Sequence, residues 1–197
     1  MIMAKIDCFK IERTDKMSKL PNIEKESGFS WQSIGNIEEG RKNMGPNMPV
    51  FAYRLFGFAL KDELVKQYGN EKAVEIFRNA GKSAGFELAN NVLDLNLPVY
   101  EFLAQLQDVF KKNNLGILRI EEFNSSTGGI ILTVAEDADC SGLPVTGETV
   151  CSYDEGILSG ILEAYTKKEY IVVEVDCWAT GARVCRFEGY IKGKIEE

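Results

Sequence analysis

The sequence predicts an α+β domain in which helices cover one face of a four-stranded antiparallel sheet. From residue 51 to residue 112, apolar side chains recur at the three- and four-residue spacing of helices. After Gly116 the spacing changes to two, as in strands, and a second helical pattern follows Cys151 before alternation returns. The resulting order is three helices, a hairpin, one helix and a second hairpin, which favours a layered α+β architecture.

Three helices are predicted before the first hairpin. The first begins at Phe51 and ends at Gly69, and its apolar repeat places it in the core. The second begins with Asn70 as its cap, and the third opens at Pro98, a residue type that suits the first turn of a helix. The apolar positions are, in chain order, Phe51, Leu55 and Phe58; Ala73, Phe77, Ala80, Ala84, Leu88 and Val92; and Phe102, Leu103, Leu106, Val109 and Phe110.

Four strands are predicted, paired as two hairpins. The first pair is joined by a loop rich in Ser, Thr and Gly, and the second by a short turn that contains Gly181. A long loop rich in Gly and Pro, residues 137–150, separates the first hairpin from the helix after Cys151. The predicted strands are Ile117–Phe123 and Ile130–Ala135, then Tyr170–Val175 and Arg183–Ile191.

The first 49 residues show little sustained periodicity and are rich in Gly, Pro, Asn and Lys, so we expect an irregular arm. Residues 50–197 form the expected domain, and a hydrophobic content of 45% is sufficient for its core. An arm ahead of a compact domain is either disordered or ordered by packing on a second subunit, and two-fold dimers are the commonest soluble homo-oligomers. We therefore expect a homodimer to which residues 1–49 contribute.

Composition and missing motifs exclude several function classes. A net charge of −7 and a pI near 4.9 disfavour binding to nucleic acid or to an anionic membrane surface. No apolar run approaches the roughly 20 residues of a membrane span, and the N-terminus is too charged for a signal peptide, so we expect a cytoplasmic protein. The absence of histidine removes His-based acid–base and nucleophilic catalysis, and the sequence has no GxGxxG, P-loop or GxSxG motif.

Four metal-competent side chains follow one another near the C-terminus, in the pattern C-x22-E-x2-C-x7-C. Three thiolates and one carboxylate make a tetrahedral ligand set for zinc, and four protein ligands leave no open position on the ion. Such a site stabilises the fold and does not catalyse. The four residues are Cys151, Glu174, Cys177 and Cys185.

Alternatives remain open at this candidate site. Glu174 and Cys177 would face opposite sides of a regular strand, so a shared ion requires a bend or bulge between them. Cysteines also occur simply as small apolar residues, and the pattern lacks a CxxC pair. Cys140 lies in a polar loop, and three roles are open to it: an alternative metal ligand, a reactive thiol or merely a loop residue. The odd count of five cysteines, in what we expect to be a reducing compartment, favours metal binding over disulfides.

The run that begins C-S-Y-D-E-G and continues in V-E-V-D-C-W-A-T-G-A-R-V-C-R-F resembles the 4-vinyl reductase domain family, over about the last 140 residues. The family pattern falls on Glu174, Cys177, Gly181, Cys185 and Phe187, with Cys151 upstream. The resemblance implies a fold similar to that of transport-particle (TRAPP) subunits. Sensory domains of phenol-responsive activators look like relatives that pair about a two-fold axis and bind zinc through three Cys and one Glu. Their ligands imply Cys151, Glu174, Cys177 and Cys185 here.

The residues and the resemblance together predict a zinc-containing sensor that binds a small apolar molecule and is not catalytic. We expect the pocket between the first two helices and the sheet, where aromatic residues sit beside small ones that can leave space. Two of the small residues are glycines, which equally suit the close approach of a neighbouring helix. With no fused output domain expected, any signal would pass to a regulatory protein by contact. The expected pocket residues are Phe51, Phe58, Phe77, Gly81, Ala84 and Gly85.

Two other functions are compatible with the sequence. One is an enzyme or accessory protein of tetrapyrrole or one-carbon metabolism, acting in vinyl reduction or in methyl transfer on a zinc thiolate. No flavin or nicotinamide motif supports this function. The other is a structural assembly module, which the TRAPP-like resemblance implies.

Overall fold

The computed structural model describes residues 28–193. Cys8 and more than half of the predicted arm lie outside this range, and residues 28–49 contain a 3-10 turn at Trp31–Ile34 and a one-turn helix. The predicted helices and strands are present, with bounds within two residues of those expected. The helices are α1 (Ile37–Gly40), α2 (Val50–Tyr68), α3 (Asn70–Val92), α4 (Val99–Lys112) and α5 (Ser152–Thr166), and the strands are β1 (Ile117–Phe123), β2 (Ile130–Ala135), β3 (Tyr170–Asp176) and β4 (Cys185–Ile191).

The four strands form one antiparallel sheet in the order β1-β2-β4-β3, which confirms the predicted fold class. Because side chains alternate along a strand, every second residue points toward the helices. Leu132 pairs with Phe187, and Val134 pairs with Cys185, so these inward side chains form a continuous surface. The opposite face is more open, and Val173 on β3 is 40% exposed.

The main core lies between this sheet and helices α4 and α5. Phe102 and Leu106 of α4 and Leu158 and Ile161 of α5 are fully buried. The ring of Phe102 stacks on that of Tyr165, with centroids 3.9 Å apart and planes inclined by 13°. Burial of each such side chain contributes roughly 1.5–3 kcal/mol relative to exposure, so this layer is the main source of apolar stabilisation.

Helix α5 is hydrogen-bonded to β3, an edge strand of the sheet. Ser159 Oγ accepts a bond from the backbone N–H of Val172 (3.1 Å), and Glu155 Oε1 accepts one from that of Glu174 (2.9 Å). The other oxygen of Glu155 accepts two bonds from Arg78 of α3, at 2.8 and 2.6 Å, so the buried carboxylate has a cationic partner. Side chains thus satisfy backbone groups that an uncovered edge strand would leave unpaired.

Helix α2 is not a core helix, and the sequence prediction is wrong on this point. None of its residues is buried, and Phe51 and Leu55 are each 67% exposed. Its side toward the domain carries Tyr53 and Arg54, which donate hydrogen bonds of 2.6 Å to the loop after β2. Apolar spacing identifies a face of a helix, but it does not tell whether that face meets the core or another surface. Among the described residues, no helix combines the length and apolar character needed to cross a bilayer.

Helices α3 and α5 cross at a contact made by four glycines. Gly81 and Gly85 of α3 face Gly156 and Gly160 of α5, and a Cβ atom at any of them would overlap a backbone carbonyl oxygen of the other helix. Backbone atoms cannot rotate away as a side chain can, so the crossing requires glycine at these positions. Close packing therefore accounts for the two glycines that lower the helix propensity of α3.

Substitution of Gly156 by alanine tests this crossing. The new Cβ would overlap the carbonyl oxygen of Arg78, so we expect the free energy of unfolding to fall by at least about 1–3 kcal/mol. Gly57→Ala on α2 is the matched control, because a Cβ there meets no atom within 4 Å, and alanine favours the helix by about 1 kcal/mol. Chemical unfolding followed by circular dichroism measures both variants. Similar effects of the two substitutions would contradict the close crossing.

Candidate metal centre

Four buried cysteines meet where the loop before α5 approaches the β3–β4 hairpin. Their Sγ atoms all lie within 4.8 Å of one another, and each residue is at most 1% exposed. Three of them belong to the ligand set predicted from the sequence, and the fourth comes from the polar loop. The group, named the cysteine cluster below, consists of Cys140, Cys151, Cys177 and Cys185.

The loop of residues 136–151 brings Cys140 to the cysteine cluster. Asp137 Oδ1 accepts hydrogen bonds from the backbone N–H groups of Asp139 and Cys140, at 2.7 and 3.2 Å. Arg54 of α2 donates to three carbonyl oxygens of the same loop, at 2.6, 3.3 and 3.0 Å. Farther along, the backbone N–H groups of residues 146 and 147 both donate to the carbonyl oxygen of residue 179. The loop is therefore tied both to α2 and to the β3–β4 turn.

Regular elements position the other three cysteines. Cys151 is the N-cap residue of α5, and Cys185 is the first residue of β4. Cys177 follows a break in the pairing of β3 with β4, where the register shifts between Glu174 and Asp176. This confirms the predicted irregularity between Glu174 and Cys177, and it lets both side chains reach the neighbourhood of Cys151.

The sulfur separations agree in part with tetrahedral metal geometry. With metal–sulfur bonds of about 2.3 Å, two thiolates of a tetrahedral site lie about 3.8 Å apart. Cys151 Sγ lies 3.8 Å from Cys177 Sγ and 3.8 Å from Cys185 Sγ. Cys140 Sγ lies only 3.0 Å from Cys185 Sγ, so this pair must separate to accommodate such an ion.

Glu174 lies beside the cysteine cluster but is not one of its four mutually close donors. Its Oε2 atom accepts a 3.0 Å hydrogen bond from the backbone N–H of Cys151. Its Oε1 atom is buried without a hydrogen-bond partner, a situation that costs about 1–3 kcal/mol unless a proton or cation is present. Burial raises the pKa of Glu174 to about 8, so in the absence of a cation this carboxyl carries a proton at neutral pH.

Hydrogen bonds within the cysteine cluster shift the pKa values of Cys151, Cys177 and Cys185 in different directions. Hydrogen bonds with Cys140 and the other thiols lower the pKa of Cys177, whereas hydrogen bonds with Cys140 raise the pKa of Cys151 and that of Cys185. The neighbouring S–H groups thus stabilise one thiolate and disfavour further ones. A bound cation removes this opposition, because the thiolate is the metal-binding form of cysteine.

Two aspartates extend the polar surroundings of the cysteine cluster. One carboxylate oxygen each from Asp137 and Asp154 lies within 4.8 Å of the other and of Cys151 Sγ. Burial raises the pKa of both side chains, that of Asp137 to about 6. Sequence reasoning singled out neither residue. Each stands three positions from a cysteine, Asp137 before Cys140 and Asp154 after Cys151, and this spacing is the signal that was available.

Comparison with known proteins identifies the family. The family model of the vinyl-4-reductase (V-4-R) domain matches residues 130–190. The uncharacterised protein MJ1642 of Methanocaldococcus jannaschii is 30% identical over 149 residues, which cover 75% of this chain and 80% of that protein. The chain belongs to the vinyl-4-reductase domain family. This confirms the resemblance to 4-vinyl reductase domains.

Three solved structures share the fold of this vinyl-4-reductase domain. The phenol-responsive sensory domain of the transcription activator PoxR with phenol has a TM-score of 0.57 at 17% identity, covering 80% of this chain and 90% of that one. A vinyl-4-reductase family protein from Methanocaldococcus jannaschii has a TM-score of 0.54 at 19% identity, covering 83% and 98%. A trafficking protein particle complex subunit 3 from Naegleria fowleri, covalently bound to palmitic acid, has a TM-score of 0.56 at 12% identity, covering 75% and 98%. These likenesses confirm the expected TRAPP-like fold.

The residues expected to line one pocket lie at different places in this vinyl-4-reductase domain. Phe58 and Phe77 line a cleft between α2 and α3 of about 40 Å³, which holds a few water molecules at most. Phe51 is 67% exposed and does not line the cleft. Gly81 and Gly85 lie at the helix crossing instead, where the backbone of α5 fills the space beside them. The expected pocket residues that are absent from the cleft lining are Phe51, Gly81, Ala84 and Gly85.

A larger cavity of the vinyl-4-reductase domain lies at the opposite end of the sheet from the cysteine cluster. Its volume is about 150 Å³, and the β1–β2 loop closes one side of it. The hydroxyl of Tyr170 donates a hydrogen bond to the carbonyl oxygen of Gly128 at this closure. The sequence did not reveal the cavity, because apolar periodicity cannot distinguish a filled core from one that contains a void. Its apolar walls are formed by Val99, Phe102, Leu103, Phe123, Leu162, Tyr165 and Ile191.

Proposed function

We propose that the protein is a non-catalytic small-molecule sensor whose fold is held together by a zinc ion. The observation that carries the proposal is the buried cysteine cluster, which offers four soft ligands for a tetrahedral ion and no exposed position for a substrate. The apolar cavity at the other end of the sheet provides a separate place for a ligand. Zinc is the ion that we assign, because thiolate-rich tetrahedral sites suit it.

The fourth metal ligand in this proposal is Cys140 in place of Glu174. The two candidate sets share Cys151, Cys177 and Cys185 and differ only at this position. Cys140 belongs to the group of mutually close donors, whereas Glu174 accepts a hydrogen bond from the backbone of Cys151. Glu174 would then position Cys151 for binding without touching the ion.

A zinc ion with four protein ligands stabilises the fold. Bound zinc supplies folding free energy, with apparent values of roughly 10–16 kcal/mol in zinc-finger peptides. The cysteine cluster joins the loop before α5, the start of α5 and the β3–β4 hairpin. Removal of the ion should therefore loosen these three segments together.

Substitution of cobalt for zinc distinguishes the two ligand sets. Sulfur-to-cobalt charge-transfer absorption grows with the number of bound thiolates, so Cys140→Ser should lose about a quarter of it if four thiolates bind. Glu174→Gln keeps an oxygen acceptor for the backbone of Cys151 and should leave the absorption unchanged. Elemental analysis of the wild type should give about one zinc per chain.

Cys8→Ser provides the control for the cobalt experiment, because Cys8 belongs to neither ligand set. This variant should retain the metal and the melting temperature, whereas Cys177→Ser should lower both. If Glu174→Gln weakens the absorption and Cys140→Ser does not, the three-cysteine set with Glu174 is correct instead. A folded wild type with less than about half an equivalent of zinc would contradict the metal proposal.

The ligand that we propose is a small apolar molecule about the size of a monocyclic aromatic. An apolar cavity of about 150 Å³ in a protein core can hold benzene, and the cavity beside Phe102 and Tyr165 has a comparable volume. Ser125, Thr127 and Lys168 also line it and supply polar partners for a substituent such as a hydroxyl group. The shared fold of the phenol-responsive PoxR domain supports this size class.

Filling the cavity should abolish binding of phenol, the probe for this experiment. Leu103→Trp adds bulk at the cavity wall, so we expect the dissociation constant for phenol to rise at least tenfold with little change in melting temperature. If the space were already filled, the same change would cost about 1–3 kcal/mol of stability. Titration calorimetry and thermal unfolding measure the two effects.

Ala84→Leu is the matched control for the cavity experiment, because Ala84 was expected in the pocket but does not line the cavity. It should leave phenol binding unchanged. Loss of binding in Ala84→Leu but not in Leu103→Trp would place the ligand where the sequence predicted it. A wild type that binds neither phenol nor toluene at millimolar concentrations would contradict the sensor proposal.

Output from such a sensor would pass through protein contacts. We propose a homodimer and a regulatory protein as the partners of this domain. The four cysteines of the cluster are thiols and not disulfides, which fits a reducing compartment such as the cytoplasm.

A further inference from the structure

The polar residues that line the apolar cavity lie at two adjoining turns. Ser125 and Thr127 belong to the β1–β2 loop, and Thr166 and Lys168 belong to the turn between α5 and β3. The rest of the lining is mainly apolar and comes from helices α4 and α5 and from the ends of the strands. A ligand in this cavity would therefore direct an apolar body toward the helices and a polar group toward the two turns.

Several hydroxyl groups around the cavity already have partners within the protein. Tyr165, Tyr170 and Thr166 each donate a hydrogen bond to a backbone carbonyl oxygen, so their protons are not available to a ligand. Thr127 is different, because its Oγ1 atom accepts a bond of 3.1 Å from the backbone N–H of residue 129. This arrangement leaves the hydroxyl proton of Thr127 for a ligand.

Lys168 gives the polar side of the cavity a positive charge. Among the described residues that line the cavity, Lys168 is the one cation, and none is Asp or Glu. The nearest acidic residues in the chain are engaged elsewhere, since Glu169 pairs with Lys192 at 2.8 Å and Glu163 pairs with Lys82 at 2.7 Å. An ammonium group offers three hydrogen-bond donors and no acceptor. The mouth of the cavity thus presents donors and a charge without a matching anion.

We propose that the ligand of this cavity is a monocyclic aromatic carboxylate, with its ring between the apolar walls and its carboxylate at Lys168 and the hydroxyl of Thr127. This inference rests on the proposed sensor function and names the class of ligand. An ionised carboxylate has only acceptors, which match the donors at the two turns. Hydrogen bonds between an ammonium and a carboxylate are roughly twice as strong as those between neutral groups.

The surroundings of the two ends suit this orientation. Lys168 is exposed, so a carboxylate beside it keeps contact with water and avoids the cost of burying a charge. At the other end, the stacked rings of Phe102 and Tyr165 offer aromatic surface to the ring of the ligand. The net charge of −7 does not prevent binding, because at physiological ionic strength exposed charges farther away than about 8 Å are largely screened.

Benzoate and benzamide test the inference, because they have nearly the same shape and differ in charge. Titration calorimetry of the full chain should give a dissociation constant for benzoate that is lower than that for benzamide by about tenfold or more. Lys168→Gln should remove this preference, and Lys168→Arg, which keeps the charge, should retain it. Lys167→Gln is the matched control, because Lys167 is exposed beside Lys168 but does not line the cavity, and the preference should persist.

Leu103→Trp shows whether benzoate occupies this cavity, because the added bulk at the wall should abolish its binding. Equal affinities for benzoate and benzamide, a preference that survives Lys168→Gln, or benzoate binding that survives Leu103→Trp would each overturn the inference. The sensor proposal would stand in these cases if the wild type still bound phenol. A wild type that binds none of phenol, toluene and benzoate would contradict both.

Discussion

Helix α5 lies at the centre of the domain and makes a different kind of contact on each of its sides. Toward α3 it presents Gly156 and Gly160, which allow the two backbones to touch. Toward the sheet it presents Ser159 and Glu155, which accept hydrogen bonds from the edge strand β3. At its start stands Cys151, whose sulfur lies 3.8 Å from two others. These contacts join α5 to α3, to the sheet and to the cysteine cluster.

The position of α5 also links the two candidate sites. Its first residues border the cysteine cluster, and Leu162 and Tyr165, near its end, line the apolar cavity. Leu162 and Tyr165 follow Cys151 by 11 and 14 residues, so the two sites lie roughly 17–21 Å apart along the helix axis. In the proposed function, a metal at the start of this helix and a ligand near its end would contact the same helix, which also packs on α3.

Local chemistry made much of this fold predictable from the sequence. Alternating residues and turn-forming residues defined both hairpins, and the clash between strand alternation and a shared ion at Glu174 and Cys177 predicted the observed register shift. Three cysteines of the cluster were expected together because the pattern C-x22-E-x2-C-x7-C supplies a ligand set for one metal ion. The approach of Cys140 to Cys185 could not be predicted, because it depends on a loop held by Asp137 and by Arg54, far apart in the chain.

The surroundings of apolar residues could not be predicted in the same way, because periodicity identifies a face of a helix but not what that face contacts. The apolar repeat with Phe51 and Leu55 was expected to lie in the core, yet these side chains point outward from α2. Gly81 and Gly85 suited either a pocket wall or the close approach of a helix, and the backbone of α5 fills that space. The real cavity is bounded by residues such as Phe102, whose apolar character fits a filled core equally well.

X-ray absorption at the zinc edge tests the central claim most directly, because it reports which atoms surround the ion in the intact protein. We predict four sulfur atoms bound to the ion at about 2.3 Å and no oxygen or nitrogen neighbour at bonding distance. Three sulfur atoms and one oxygen around the ion would identify Glu174, and not Cys140, as the fourth ligand. A protein that folds with no bound metal, or with only oxygen and nitrogen neighbours around the ion, would contradict a cysteine-held metal centre.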